Sequence, residues 1–490
     1  MNNKIKHIHF IGICGVAMSA LALAFKRQGC KVTGSDVGFY PPISTYLDEQ
    51  GVEYYPGWHP EKMGTPDLVV VGNVASSSNP EWKYVQKNKL NYKSYPEVIK
   101  EFIIKPNSIV CAGTYGKSTT TALLTWIFKN NGFDPNYMFG GLMSETPTSP
   151  LPRLRGYPPQ GGNLKSPLEG GEGDVMPLPS ATITTSDWSI VEGDEYKTAR
   201  WDKQPKFAYY APKHLLLTAV TWDHADIYKT ERKYEQAFQK LVDGLPDDGK
   251  IIVSERVDNI KLPKNTITYG KEKNTDYRYS DIKQNTNGLI FTITHAEKTY
   301  TIVTPCLGDY MADNITSCFA LANELRIAPE KIIASIKTFI GMKRRLEKRL
   351  NGNITVIDDI AHSPVKAEAI LQTLRQLYSG KILAVFEPNT GNRRPESISS
   401  YGNAFRDADE IIIPHLTQIK RDAKDTARPL EGDELAKIIG ETHAHASYIS
   451  DDDVLIDYVT KNAGTNSVIV FLGSHGFRGM IEKVVERLKI

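Results

Sequence analysis

One segment constrains this chain more than any other. An apolar run, Ser108 to Ala112, passes directly into Gly113-Thr114-Tyr115-Gly116-Lys117-Ser118-Thr119-Thr120 and then into the helical stretch Thr121 to Phe128. Glycines set between the end of a strand and the start of a helix let backbone N–H groups surround a phosphate, and the helix dipole favours its negative charge. Lys117 adds a point charge for β- and γ-phosphates, and Ser118 offers a hydroxyl to Mg²⁺. Cys111 stands where the strict Walker pattern has its first glycine, so the order strand, turn, helix carries the reading. The segment predicts an ATP or GTP site inside an α/β fold; a chance Gly-Lys-Ser turn is the alternative.

The flanking sequence agrees with that fold class. His7 to Ile11 reads as a short buried strand, Gly12 to Gly15 as a tight turn, Val16 to Gln28 as an apolar-faced helix ending at Gly29, and Lys31 to Gly34 as a returning strand. Strand runs at Leu68 to Val71 and Ser108 to Ala112 alternate with helical stretches, the pattern of a parallel sheet wrapped by helices. A second α/β unit continues through strands near Trp188 to Glu192 and Leu215 to Thr221. A third follows the amphipathic stretch Asn314 to Leu325, with strands at Ile354 to Asp358, Ile382 to Phe386, Glu410 to Ile413 and Val468 to Leu472. The length of 490 residues suits three domains at roughly 150 residues each, here 1–106, 107–326 and 327–490. Thr146 to Ser180 is crowded with Pro, Gly and Ser and lacks apolar periodicity, which predicts a mobile surface insertion within the second domain.

Composition removes several function classes. With 59 Lys+Arg against 57 Asp+Glu, no long-range field draws a nucleic acid or an anionic membrane, so neither is expected as a partner. No apolar run approaches the ~18 residues of a spanning helix. Lys4 and Lys6 precede an apolar stretch as in a secretory signal, but Gly12, Gly15 and two histidines interrupt it and strand, turn and helix fit better. Cys14, Cys30, Cys111, Cys306 and Cys318 are scattered and never form C-x-x-C, which argues against a disulfide framework or a structural zinc and for the cytoplasm.

Two acidic clusters sit at predicted strand ends, where open α/β sheets place ligands: Glu192-Gly193-Asp194-Glu195-Tyr196 and Asp223-His224-Ala225-Asp226. Each alone reads more readily as a solvated loop or helix cap; their joint placement downstream of a phosphate loop suits Mg²⁺. The turn Gly12-Ile13-Cys14-Gly15, with Gly34-Ser35-Asp36 closing its unit, has the outline of a dinucleotide turn. An NAD-dependent dehydrogenase would leave the loop at Gly113 to Thr120 unexplained.

Taken together these strings resemble the Mur ligase family of ATP-dependent amide-forming enzymes of peptidoglycan metabolism. His9-Phe10-Ile11-Gly12-Ile13-Cys14-Gly15 is similar to its UDP-binding turn, and Gly113 to Thr120 to its phosphate loop. Asp313-Asn314 is similar to its adenine contact, Lys343-Arg344-Arg345-Leu346-Glu347 to its arginine-bearing linker, and Asp358-Asp359-Ile360-Ala361-His362-Ser363-Pro364 to the entry of its last domain. The resemblance implies a Rossmann-like first domain, a P-loop ATPase-like second and a Rossmann-like third. It implies ATP contacts at Gly113, Thr114, Gly116, Lys117, Ser118, Thr119, Asn314, Arg345 and Asp359. Gly12, Cys14, Gly15, Ser35, Asp36 and Asn73 would hold a UDP-sugar, and His362, Glu387, Asn389 and Arg393 a peptide. Ser118, Glu192 and His224 would hold Mg²⁺, with Lys117, Glu192, His224 and Arg345 catalytic. Met311 replaces an Asn often found in the family, and Phe238 stands where some relatives carry a carbamylated lysine, so no carbamylation is expected.

Within the family, Tyr40-Pro41-Pro42-Ile43-Ser44-Thr45, Gly72-Asn73, Glu195-Tyr196 with Trp201-Asp202-Lys203, and Phe386-Glu387-Pro388 resemble the activity that joins a murein tripeptide, L-Ala-γ-D-Glu-meso-diaminopimelate, to UDP-N-acetylmuramate in peptidoglycan recycling. Small-molecule partners are then ATP, UDP-N-acetylmuramate and the tripeptide, with the chain a monomer or weak homo-oligomer. Addition of L-alanine to the same acceptor, and a non-catalytic nucleotide-binding regulator, are the alternatives.

Overall fold

The computed structural model describes residues 5–39, 43–144, 178–223, 227–417 and 428–489. Most of the expected insertion at 146–180, and His224 to Asp226, lie outside them. The chain forms two compact units, Met1–Lys283 with Gly288–Ile340, and Gln284–Asn287 with Gly341–Ile490.

The first unit opens with a five-stranded parallel sheet. Its strands β1 (His7–Ile11), β2 (Lys31–Asp36), β3 (Glu53–Pro56), β4 (Leu68–Val71) and β5 (Tyr92–Ser94) lie in the order β3-β2-β1-β4-β5. The helix Val16–Arg27 buries every residue from Met18 to Phe25 and ends on Lys26 and Arg27, whose charges complement its carboxyl terminus. That continuous burial has a cause: Arg27 Nη2 donates to Ala181 O at 2.5 Å and Gln28 Nε2 to Ile183 O at 2.9 Å, so the helix is enclosed between its own sheet and the next.

The second sheet contains β6 (Asn107–Ala112), β7 (Asn136–Met138), β8 (Ala181–Thr182), β9 (Trp188–Gly193), β10 (His214–Leu217), β11 (Ile251–Ser254), β12 (Ile267–Gly270), β13 (Tyr277–Asn285), β14 (Gly288–His295) and β15 (Lys298–Thr304). Their order is β15-β14-β13-β12-β11-β10-β6-β9-β7-β8. Strand β6 lies between β9 and β10, parallel to both, and is buried from Ser108 to Ala112, as its unbroken apolar run requires. The expected strand Leu215 to Thr221 stops at Leu217. Beyond it Ala219 O accepts from Thr114 N–H at 3.0 Å, so this backbone braces the phosphate loop instead of extending the ladder.

The helix Pro329–Thr338, assigned from the sequence to the third domain, packs in the first unit. Trp126 Nε1 donates to Ser335 O at 3.0 Å and Asn131 Nδ2 to Ser335 Oγ at 3.1 Å, so the first unit extends to Ile340.

The second unit holds β16 (Glu347–Leu350), β17 (Ile354–Asp359), β18 (Ile382–Glu387), β19 (Glu410–Pro414), β20 (Ala446–Ile449) and β21 (Ser467–Gly473), ordered β16-β17-β21-β18-β19-β20. All neighbours are parallel except β16 with β17. Val356, Leu383, Val385, Ile412, Ile469 and Phe471 bury one face of this sheet against Leu455, Val459, Ile481 and Val484. Among the described residues no helix is long and apolar enough to cross a membrane.

Candidate active site

The loop after β6 is held open by two residues that only glycine satisfies. Gly116 has φ +77° at the N-cap of the helix Lys117–Asn130, and a Cβ there would lie 2.5 Å from Asn314 Oδ1. Gly113 has φ +130°, and its Cβ would fall 2.3 Å from Thr218 Oγ1. Thr114 is turned inward: its Oγ1 donates to Thr221 O at 2.8 Å and accepts from Thr221 N–H at 2.9 Å. Asn314 stands against the loop because its neighbour Asp313 is tied down by Arg256 Nη2 at 2.6 Å and Tyr279 OH at 3.2 Å. The sequence contains no local signal for Arg256 and Tyr279; Arg256 comes from the turn after β11 and Tyr279 from β13.

Lys117 lies at the mouth of this loop with its side chain 14% exposed. Its Nζ donates to Gly113 O at 2.6 Å and Thr114 O at 3.3 Å, and pairs with Glu195 Oε2 at 2.9 Å. Burial pulls the ammonium pKa down, but the carboxylates of Glu195 and Glu192 outweigh it and hold it above the ordinary value. Glu195, only 1% exposed, is the partner that sequence reading missed; its signal was its place three residues after Glu192 in the same acidic string.

Ser118 and Glu192 meet across the gap between the helix and β9. Ser118 Oγ donates to Glu192 Oε1 at 2.9 Å, and Gly140 N–H donates to Oε2 at 2.6 Å. Burial pushes the Glu192 carboxyl up, further than Lys117 and these donors bring it down. Asp194 is occupied elsewhere by Lys206. Among the described residues no three His, Cys, Asp or Glu converge to hold a metal unaided. A carboxylate beside a hydroxyl at the mouth of a phosphate loop nevertheless fits Mg²⁺, which takes hard oxygens and completes its shell with phosphate and water.

At the first sheet, Gly12 and Ile13 donate their N–H groups to Ser35 O at 2.8 and 3.1 Å. Cys14 N–H donates to Asp36 Oδ2 at 2.9 Å, and Val37 N–H to Oδ1 at 2.7 Å. Asp36 therefore shapes the turn, and Ser35 turns its hydroxyl inward to Glu81 Oε2 at 2.5 Å. The Cys14 thiol is pushed up to about 12 by burial and by Asp36, so it is no nucleophile. Gly15 precedes the helix Val16–Arg27 as its N-cap, and Asn73 follows β4 with its Nδ2 donating to Lys197 O at 3.0 Å.

In the second unit, adjacent arginines diverge. Arg344 donates to Asp358 Oδ1 at 3.2 Å, Ser474 O at 3.0 Å, His475 O at 2.8 Å and Gly473 O. Arg345 between them and Leu346 is exposed, with left-handed backbone on both sides, φ 59° at Arg344 and 47° at Leu346. Asp359 sustains that turn by accepting from Leu346 N–H and Ala361 N–H, both at 2.8 Å. His362 is anchored through Nδ1 to Ile360 O at 2.7 Å, and burial, then Lys366, lowers its pKa.

Three of the expected peptide contacts are strongly engaged with the protein itself. Glu387 accepts from Thr417 N–H and Oγ1 at 2.8 and 2.6 Å, and Asn389 Oδ1 caps Asn392. Arg393 is buried, donating to Leu430 O at 3.0 Å and Thr417 O at 2.9 Å.

Comparison with known proteins adds to this geometry. Three family models match: "Mur ligase family, catalytic domain" at residues 7–105, "Mur ligase middle domain" at 185–322, and "Mur ligase, glutamate ligase domain" at 344–475. A UDP-N-acetylmuramate–L-alanyl-gamma-D-glutamyl-meso-2,6-diaminoheptandioate ligase of Haemophilus influenzae is 29% identical over 99% of this chain and 100% of its own. A UDP-N-acetylmuramate–L-alanine ligase of Lactobacillus helveticus is 30% identical over 97% of each chain. The solved UDP-N-acetylmuramate-alanine ligase of Thermotoga maritima shares the fold, with a TM-score of 0.77 at 21% identity over 99% of each chain. With its phosphate loop, its domain order and full-length relatives in agreement, the chain belongs to the Mur ligase family.

Proposed function

We propose that this chain is an ATP-dependent ligase that joins the tripeptide L-Ala-γ-D-Glu-meso-diaminopimelate to UDP-N-acetylmuramate in the cytoplasm, for peptidoglycan recycling. One observation carries the ATP-dependent step: Lys117 Nζ lies at the mouth of the loop while Ser118 and Glu192 face each other at 2.9 Å beside it. The amine donor is inferred from the full-length likeness to the Haemophilus influenzae ligase.

A carboxylate does not condense with an amine at neutral pH because oxide is a poor leaving group. Transfer of the ATP γ-phosphoryl to the acceptor's carboxylate gives an acyl phosphate that leaves readily, and the work of the protein is alignment and charge neutralisation. The loop N–H groups hold the phosphates, and Lys117 neutralises charge on the moving phosphoryl group. Ser118, Glu192 and His224 are the proposed Mg²⁺ holders; when bound, the ion shields the phosphate oxygens. Arg345, exposed and with no side-chain hydrogen bond among the described residues, is assigned as a second cation. Gly12, Cys14, Gly15 and Asn73 are assigned to the UDP-sugar, and His362 to orienting the incoming amine.

The Lactobacillus helveticus relative, at 30% identity, supports a second reading in which free L-alanine is the amine donor. Both are tested with purified protein, ATP, Mg²⁺ and UDP-N-acetylmuramate, offering tripeptide and L-alanine in parallel. Tripeptide product with ADP release is expected, and Lys117→Ala should abolish it while leaving UDP-sugar binding intact. Preference for L-alanine selects the second reading; no product from either amine rejects both.

A further inference from the structure

The acceptor's two ends face different parts of the first unit. On the ligase reading above, its nucleotide is held at the first sheet and its carboxylate must meet the γ-phosphate over the second. In-line transfer tolerates little error in that spacing. One element spans it. Residues 196–206, which follow the acidic string of β9, fold back on themselves: Thr198 N–H donates to Gln204 O at 2.8 Å, Ala199 N–H to Asp202 O at 3.0 Å, and Lys197 bridges Pro205.

Both ends of this finger are anchored. At its root, Glu195 pairs with Lys117 at 2.9 Å, Tyr228 OH donates to Glu195 O at 2.7 Å, and Lys206 pairs with Asp194. At its tip, the Trp201 ring stacks on Trp82 with centroids 4.5 Å apart and planes 15° apart, and Arg200 Nε donates to Asn73 O at 2.9 Å. Trp82 lies on the helix Pro80–Lys87 beside Glu81, the fully buried carboxylate that accepts from Ser35, whose carbonyl holds the Gly12 and Ile13 N–H groups. Contacts thus run without a break from the nucleotide turn to Lys117. Trp201 keeps 43% of its surface exposed, so its ring is not needed to fill a core.

We propose that the 196–206 finger is a strut that sets the distance between the nucleotide turn and the phosphate loop, with Trp201 and Arg200 as positioning residues for phosphoryl transfer. The prediction separates positioning from binding, because the contacts of both side chains are with the protein itself, Trp201 with Trp82 and Arg200 with Asn73 O.

The test uses the full chain with Trp201→Ala, Trp201→Phe and Arg200→Ala. It reads kcat and KM for tripeptide ligation, and calorimetric Kd for UDP-N-acetylmuramate alone and for a non-hydrolysable ATP analogue alone. Trp201→Ala should lower kcat about 10- to 100-fold, the cost of a misplacement remote from the chemistry, with both Kd values within about twofold. Trp201→Phe, which keeps a stacking face, should recover most of the rate, and Arg200→Ala should fall between. Unchanged kcat in Trp201→Ala overturns the strut. So does a rise in UDP-sugar Kd that matches the loss of rate, since that makes Trp201 a binding platform. An inactive wild type with intact folding removes the ligase reading, and the strut with it.

Discussion

Replacing each of two neighbouring arginines by alanine should produce opposite defects. Arg344 is 21% exposed and its ion-pair partner Asp358 only 2%. Its removal strands two buried acceptors, the Asp358 carboxylate and Gly473 O, while Ser474 and His475 reach water. At about 1–3 kcal/mol for each orphaned buried acceptor, the loss is about 2–6 kcal/mol. Arg349 Nη1, 3.6 Å from Asp358 Oδ2, cushions part of it, which leaves about 2–4 kcal/mol. For a unit of this size each kcal/mol moves the melting point by about 2–4 °C, so Arg344→Ala should lower the transition of the second unit by roughly 4–16 °C. Arg345→Ala removes an exposed side chain that makes no hydrogen bond among the described residues and should shift it by less than about 2 °C, while cutting ligation rate at least tenfold as a lost charge clamp. Differential scanning calorimetry with steady-state kinetics on the same preparations reads both. Equal melting points, or a stable and fully active Arg345→Ala, would refute the division of labour.

Two further predictions concern the first unit. His214, 5% exposed and stacked on Trp188, has its pKa lowered to about 4 by burial and by Lys213, against an ordinary 6.5. Its neutral form is favoured by folding, so that stability is complete above pH 6.5 and is lost as pH falls toward 4, by roughly 3 kcal/mol at the limit; urea titrations should show this slope, and His214→Asn should flatten it between those pH values. Gly116→Ala forces a left-handed alanine whose Cβ meets Asn314 Oδ1 at 2.5 Å, so ATP-analogue affinity should fall at least tenfold with UDP-sugar affinity unchanged; equal ATP affinity by calorimetry would show that the loop tolerates a side chain.

Much of the scaffold is legible along the chain. Strands such as β6 and β21 are buried along nearly their whole length, and the apolar runs Ile109 to Ala112 and Val468 to Leu472 announce it. The hairpin strands β14 and β15 are harder to see, because they alternate polar and apolar residues in an antiparallel pair with one solvated face, and isolated alternation is easily passed over. The helix Pro329–Thr338 packs in the first unit through Trp126 and Asn131, partners some two hundred residues away that no local pattern announces.

At the candidate site, residue types and their order point to Lys117, Ser118 and Glu192 without any coordinates, since phosphate chemistry demands a glycine loop, a cation and hard oxygens in a recognisable local order, whereas Arg345 is singled out only by the family resemblance. Which groups remain available is a different matter. That Glu195 holds Lys117, that Asp36, Ser35 and Arg393 spend their polar atoms within the protein, and that Arg344 is locked while Arg345 is displayed all depend on partners tens of residues away. Chain order specifies the chemical groups; only the three-dimensional packing decides which have been satisfied by distant neighbours and which are left to meet a substrate.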